Sequence, residues 1–242
     1  MNLSSNADTA RGEPSSTRLV ATLGLAGLLS GLIIVSVYEA TLPAIEAYQA
    51  RVLRAAVFKV LPGIERMQRL VFADGQLLPS EVENKSDQAI FAGYDAQGSL
   101  VGYAIPGAGP GFQDIIRLLY GYLPDKRQVS GMEVLESRET PGLGDKIYKD
   151  LAFVANFDAL AVDPEIQAVK KGTKTQANQV DAITGATISS KAVVRIINEA
   201  HQLWFERLPD VPPSAPSDSS VDRSQAEPPP RLSALPHRDQ PQ

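Results

Sequence analysis

A long apolar run without any charged side chain lies between Arg18 and Glu39. A helix needs roughly 20 such residues to cross a bilayer, so the run predicts one transmembrane helix over 18–40. The polar residues 1–17 have no periodic apolar pattern, and we expect a disordered cytoplasmic tail there. A cleaved signal peptide is the alternative, but its apolar core usually has only about 7 to 15 residues, which favours a retained anchor.

Two small residues, Gly27 and Gly31, stand four positions apart inside this run. That spacing lets two membrane helices approach closely, yet glycine is also common in membrane helices in general, and both interpretations stay open. Charge alone does not orient the helix, because basic residues flank it on both sides. They are Arg11 and Arg18 before it, and Arg51, Arg54 and Lys59 after it.

After the apolar run, the pattern changes from helical to strand-like spacing. Apolar positions recur with helical spacing over 42–60, and Pro62 and Gly63 end that predicted helix. Short apolar runs at 89–94 and 100–105 are separated by a polar, turn-forming stretch. This arrangement predicts a β-hairpin.

A second pair of strands is predicted farther along the chain. The glycine-rich stretch 107–111 predicts a loop. The segments 115–122 and 129–135 predict two strands joined by a turn at Pro124 and Asp125. Strands joined by such a short turn pair in the antiparallel sense.

Apolar residues return to steps of three and four over 147–159 and 189–206, which predicts helices that pack on the sheet. The fold class is therefore α+β, with a single N-terminal transmembrane helix followed by an antiparallel-sheet domain with packed helices over 41–208. The segment 209–242 is crowded with Pro, Ser, Asp and Gln and has few large apolar residues. We expect a disordered tail there.

Composition narrows the functions that this fold can have. The 242 residues carry a net charge of −5 and no long basic run, which disfavours nucleic-acid binding. Because the chain has no cysteine, it cannot hold a disulfide, a thiolate zinc site or an iron–sulfur cluster through its own thiols. No carboxylate spacing around His201 or His237 suggests a metal site, so no metal is expected.

One motif for chemistry is the heptapeptide 181–187, Asp-Ala-Ile-Thr-Gly-Ala-Thr, which precedes a predicted helix over 188–207. A hydroxyl at the start of a helix is well placed to hold a phosphate, since the first amides and the helix dipole both favour an anion there. Taken alone, the string is also what an ordinary turn and helix cap look like.

A second motif, Glu-Thr-Pro-Gly-Leu-Gly, occupies 139–144. Its Pro141 and Gly142 are the residues that a type II turn requires at its second and third positions. The motif therefore predicts a turn, although a purely structural turn needs the same two residues.

In this order, the two motifs resemble the covalent-FMN-binding domain family. Its branches include the G subunits of Rnf-type ion-translocating oxidoreductases and the C subunits of the sodium-pumping NADH:quinone oxidoreductase. The resemblance implies an electron-transfer subunit whose FMN is attached by a phosphoester to Thr187. It also implies a complex that couples ferredoxin and NAD electron transfer to ion translocation, and a flavin domain on the periplasmic side of the bacterial inner membrane.

The resemblance further implies maturation by a flavin transferase of the ApbE type, which moves FMN from FAD onto a pattern Asp-x-x-(Ser/Thr)-Gly-Ala-(Ser/Thr). Asp181 stands at the position that the transferase recognises, and Thr184 at the hydroxyl position that is not modified. Gly185 and Ala186 leave the approach to the phosphate on Thr187 free of bulk.

In the turn motif, the resemblance implies that Thr140 and Leu143 contact the flavin ring and that Glu139 orients the turn. Ser189 and Ser190 are expected either to cap the helix or to donate to the phosphate, and the sequence does not separate these roles. Two alternatives for the whole chain stay open: a C subunit of the sodium-pumping complex, and a flavin-free membrane-anchored scaffold in which the heptapeptide is an ordinary cap.

Overall fold

The computed structural model describes residues 16–80, 88–209 and 221–222. Its contacts divide the chain into two compact units, one that ends at Tyr48 and one that starts at Gln49. Most of the two predicted tails lies outside the described residues, so their predicted disorder stays a prediction.

Helix α1 spans Ser16–Val60. The sequence predicts two helices here, over 18–40 and 42–60, and the structure has one that runs through Pro43. An interior proline removes one backbone hydrogen bond but does not oblige the helix to end. In the part of the chain that the structure describes, α1 is the one helix long and apolar enough to cross a membrane, with a mean hydropathy of 2.3 over an 18-residue window.

The unit that starts at Gln49 is built on an antiparallel sheet. In the described ranges the strands of this sheet are β1 (Arg66–Ala73), β2 (Gln76–Pro79), β3 (Ala89–Tyr94), β4 (Leu100–Pro110), β5 (Ile115–Leu123), β6 (Gln128–Glu136), β7 (Leu160–Ala161) and β10 (Val221–Asp222). They lie in the order β10-β1-β3-β4-β5-β6-β7, and β2 also pairs with β1. A separate parallel pair consists of β8 (Gln167–Val169) and β9 (Gln179–Asp181).

Both predicted strand pairs are confirmed. Strand β3 pairs with β4, and β5 pairs with β6 across a short 3-10 turn at Pro124–Lys126. Strands β1 and β2 have no counterpart in the sequence predictions. Strand β10 falls in the segment predicted to be disordered, and there the backbone of Val221–Asp222 pairs with the edge of β1. A sheet edge offers unpaired amides and carbonyls that can hold even so short a piece of chain.

The predicted loop over 107–111 is wrong for all but its last residue, because β4 continues to Pro110. Gly107 and Gly109 do not form a turn but allow helix α4 (Thr187–Phe205) to pack close to the strand. A Cβ on Gly107 or on Gly109 would lie 2.8 Å from the side chain of Ile196. Helix α4 crosses the sheet at this point, and the missing side chains let its backbone approach β4.

The helical segment predicted over 147–159 is broken into short pieces: α2 (Lys146–Lys149), α3 (Leu151–Val154) and a 3-10 turn, Ala155–Phe157. Asp150 explains the break. Its backbone is extended, and its carboxylate accepts hydrogen bonds from the amides of Ala152 at 3.0 Å and Phe153 at 3.3 Å. This is an N-cap, which starts a new helix where the apolar spacing alone suggests continuation.

Helix α4 covers one face of the sheet and forms the larger hydrophobic core, in which Val193, Ile197 and Trp204 are buried. The last turns of α1 cover the other face. There Val57 and Val60 are fully buried, and the Ser130 hydroxyl donates to the carbonyl of Val60 at 2.6 Å. The sheet is therefore enclosed by a helix on each face.

Candidate functional site

The turn predicted at 139–144 is confirmed. The amide of Leu143 donates to the carbonyl of Thr140 at 3.2 Å, and Gly142 has a φ of 78°. A positive φ at the third position, after a proline at the second, is the geometry of a type II turn and explains why a glycine occupies the third position. The Leu143 side chain is 50% exposed.

Glu139 lies under this turn and is only 5% exposed. Its Oε1 accepts hydrogen bonds from the amides of Phe112 and Gln113, both at 2.9 Å, and from Asp114 at 3.5 Å. Its Oε2 accepts a hydrogen bond from the hydroxyl of Ser189 at 2.5 Å. One carboxylate thus links the loop 111–114, its own turn and the first turn of α4.

Burial by itself would raise the pKa of the Glu139 carboxyl. The hydrogen bonds from Ser189 and from the amides of the 112–114 loop outweigh that effect, so the pKa lies below its ordinary value. Glu139 is therefore ionised near neutral pH, and its charge is held by four donors. The expectation that Glu139 orients the turn agrees with these bonds, which extend to two further segments.

Two neighbouring glycines make room for this carboxylate. A Cβ on Gly144 would lie 2.5 Å from Glu139 Oε2 and 2.8 Å from Glu139 Cβ, and a Cβ on Gly111 would collide with Oε1. The Thr140 hydroxyl donates to Gln113 Oε1 at 2.9 Å, which ties the turn to the same loop. The Thr140 hydroxyl proton is therefore engaged by the protein itself.

The heptapeptide 181–187 leads from β9 into α4. The amide of Ala186 donates to the carbonyl of Ile183 at 3.0 Å, and Gly185 has a φ of 85°, so a tight turn precedes the helix. Thr184, Gly185 and Thr187 are exposed, whereas the Ala186 side chain is buried. Thr187 is the first residue of α4, and Ala186, at the N-cap, makes no side-chain cap hydrogen bond.

Ser189 and Ser190 face inward. Ser190 Oγ donates to the carbonyl of Ala186 at 2.9 Å and accepts from the amide of Ile183 at 3.0 Å, while Ser189 donates to Glu139. Both hydroxyls are buried and brace the turn from beneath. Neither expected role is seen, because the N-cap is Ala186 without a side-chain cap bond and both hydroxyls are engaged within the protein rather than free to donate to a phosphate.

Asp181 also has a structural partner in the fold. Its Oδ1 accepts from the amide of Gly172 at 2.9 Å, and its own amide donates to Asn156 Oδ1 at 3.1 Å. These bonds hold the end of β9, from which the heptapeptide departs. The predicted recognition of Asp181 by a transferase stays a prediction.

Three large apolar side chains on the linked segments are exposed: Phe112 at 64%, Leu143 at 50% and Ile188 at 58%. The three side chains lie on the segments that the Glu139 carboxylate links, and exposed apolar side chains on neighbouring segments are candidates for a binding surface. Phe112 and Ile188 were missed by the sequence analysis. For Phe112 the sequence offers one sign of a functional role: an aromatic residue in a short glycine-containing loop, where no apolar spacing accounts for it.

His201 does not belong to this site. Its ring lies against Tyr122, with centroids 4.8 Å apart, and against Phe205 at 5.5 Å, and burial lowers its pKa. Among the residues that the structure describes, no group of three or more His, Cys, Asp or Glu side chains is placed to hold a metal ion.

Comparison with known families places both motifs in one domain. A model described as an FMN-binding domain matches residues 111–202. The chain is 30% identical over 186 residues to the G subunit of the ion-translocating oxidoreductase complex of Methanosarcina acetivorans, and the match covers 76% of this chain and 92% of that relative. It is also 30% identical over 152 residues to the G subunit of the Na(+)-translocating ferredoxin:NAD(+) oxidoreductase complex of Acetobacterium woodii, covering 60% of this chain and 70% of the relative.

The fold is shared with a solved structure. The C subunit of the Na(+)-translocating NADH-quinone reductase from Parabacteroides distasonis superposes with a TM-score of 0.57 at 18% identity, over 71% of this chain and 98% of that one. At this identity the likeness concerns the fold, and it agrees with the α+β prediction. The extent and identity of the match to the Methanosarcina relative decide the family: this chain belongs to the G subunits of ion-translocating oxidoreductase complexes.

Proposed function

We propose that this chain is a membrane-anchored electron-transfer subunit that carries one FMN, attached by a phosphoester to Thr187, within an Rnf-type complex that couples ferredoxin and NAD electron transfer to ion translocation. Membership of the G-subunit family and the FMN-binding match over 111–202 support a flavin. When bound, FMN supplies the electron chemistry, and the protein holds the ring and tunes its potential.

The exposed hydroxyl of Thr187 is the observation that carries the covalent attachment. It opens a 19-residue helix whose N-cap makes no side-chain cap bond, so the first amides and the helix dipole favour a phosphate there. The linkage forms when the Thr187 oxygen bonds to the FMN phosphorus of FAD, the phosphoanhydride breaks, AMP leaves and the hydroxyl proton is lost. An unactivated threonine is a poor nucleophile, and we assign its activation to a separate ApbE-type transferase.

The neighbouring surface has the character that a flavin ring needs. The ring is a flat, largely apolar surface, and Phe112, Leu143 and Ile188 present apolar side chains to solvent. All three belong to segments that Glu139 joins. Covering such side chains stabilises a bound ring by about 25 cal/mol per Å² of apolar surface removed from water.

The test is covalent flavin that survives denaturation. We expect the full chain, produced together with an ApbE-type transferase, to fluoresce in a denaturing gel and to show an intact mass raised by one FMN less one water. Thr187→Ala removes the only proposed attachment oxygen and abolishes both signals. The matched variant Thr184→Ser changes the other exposed threonine of the same heptapeptide to the second residue that the transferase pattern allows there, and keeps both signals.

Either of two results contradicts the proposal. Fluorescent Thr187→Ala protein places the flavin elsewhere. Dark wild-type protein from cells in which the transferase modifies another substrate favours the flavin-free scaffold.

We further infer that the unit starting at Gln49 lies on the periplasmic side of the inner membrane, with α1 as the anchor and other subunits of the complex beside it. The apolar part of α1 and the ion-translocating complexes named for the relatives support the anchoring. The periplasmic side is what the family resemblance implies. Protease added outside intact spheroplasts is expected to digest this unit, and full protection would contradict the orientation.

A further inference from the structure

We propose that Glu139 is a positioning residue that joins the flavin-ring surface to the phosphate-attachment helix, so that the site is assembled before any flavin arrives. This inference rests on the proposed function for its consequence. That Glu139 joins the three segments is a statement about the flavin-free chain and does not depend on the proposed function.

The segments that Glu139 connects are far apart in sequence. The loop 111–114 supplies three amides to Oε1, and α4 supplies the Ser189 hydroxyl to Oε2. The loop is itself closed by a bond from the amide of Gly111 to the carbonyl of Asp114 at 2.8 Å. Each segment carries one exposed apolar side chain of the proposed ring surface, and α4 also carries Thr187.

The chemistry of the carboxylate suits this task. It offers two oxygens that accept several hydrogen bonds in different directions, and charge-assisted bonds of this kind are roughly twice as strong as neutral ones. Because both oxygens are engaged within the protein and the side chain is 5% exposed, Glu139 acts through the segments it holds. A direct contact with the ring is not needed for this role.

The spacing of ring and phosphate within one cofactor makes such a joint useful. The bonds of FMN limit the distance between its phosphate and its ring. The protein surface at Thr187 and the one near Phe112 and Leu143 must therefore lie at a matching separation. If those surfaces moved independently, ordering them would cost conformational entropy each time a flavin was transferred. A joint present in the flavin-free chain removes that cost beforehand.

The decisive experiment uses four full-length variants, each produced with and without the transferase. Glu139→Ala removes the joint, and Glu139→Gln keeps an oxygen for the amides and a group that can bond Ser189. Ser189→Ala removes the link to α4 alone. Glu136→Ala is the matched control, since Glu136 lies three residues away, is exposed and pairs with Arg117 and Arg138.

In the flavin-free proteins, hydrogen exchange at the amides of Phe112, Gln113 and Asp114 is measured. We expect exchange to be about tenfold or more faster in Glu139→Ala, as loss of a bond to a charged acceptor implies. Exchange is intermediate in Glu139→Gln, which keeps a neutral acceptor, and stays close to wild type in Ser189→Ala and Glu136→Ala. The proposal that Glu139 joins these segments is overturned if exchange is unchanged in Glu139→Ala, or if exchange in Glu139→Gln is as fast as in Glu139→Ala.

The second readout is the rate of flavin attachment by the transferase. We expect a loss of about tenfold or more in Glu139→Ala, a loss of a few fold in Ser189→Ala, and rescue in Glu139→Gln. Attachment at the wild-type rate in both Glu139→Ala and Ser189→Ala overturns the inference. A wild-type chain that takes no flavin refutes the proposed function instead, and the exchange measurement still decides whether Glu139 joins the three segments.

Discussion

The turn at 139–144 and the turn at 183–186 look alike in sequence but differ in what surrounds them. Each has a threonine followed closely by a glycine of positive φ, 78° at Gly142 and 85° at Gly185, with open space where a Cβ would stand. The first turn covers a buried carboxylate whose bonds all lie within the protein. The second presents two exposed threonines to solvent. In the proposed function, the first turn holds the site together and the second offers the hydroxyl for attachment.

Glycine-to-alanine changes separate these two roles most strongly. Gly144→Ala pushes a methyl group against Glu139, and we expect about 2–3 kcal/mol of destabilisation from the collision and the disturbed bonds. Gly185→Ala meets nothing within 4 Å, so only its backbone conformation is strained, at about 1 kcal/mol. Thermal unfolding of the full-length proteins measures both. Equal losses would mean that the first turn is no more tightly built than the second.

The smallest effect on stability is expected at Thr187, the proposed attachment residue. Thr187→Ala removes an exposed side chain with no hydrogen bond to the protein among the described contacts, and a change within about 0.5 kcal/mol follows. The unfolding midpoint of the flavin-free variant should therefore match that of flavin-free wild type. A large loss would give Thr187 a structural role and weaken the contrast between the turns.

Local patterns predict local structure well in this chain. The hairpin of β3 and β4, the pair β5 and β6, the turn at Pro141 and Gly142 and the helix α4 all follow from residues that are neighbours in sequence. Family resemblance adds the FMN-binding domain, and the comparisons agree with it. The attachment of FMN to Thr187 still awaits its experiment.

What the sequence does not predict depends on contacts between distant segments. Gly107 and Gly109 look like a loop because their partner, Ile196, is almost ninety positions away. The partners of Glu139 lie about 25 residues before it and 50 after it, and no periodicity reveals them. Asp150 misleads for another reason, since its capping role competes with an apolar spacing that favours one longer helix.

Val60 packs on the face of the sheet opposite α4, and this contact affects where a fragment without the membrane helix should begin. Ala56 and Val57 fill the same layer, and the Ser130 hydroxyl saturates a carbonyl of the final helical turn. A fragment trimmed to the first strand would leave Leu119 and Ala104 facing water. A fragment that begins at Gln49 retains the buried residues Ala56, Val57 and Val60 and omits the apolar part of α1 that could cross a membrane.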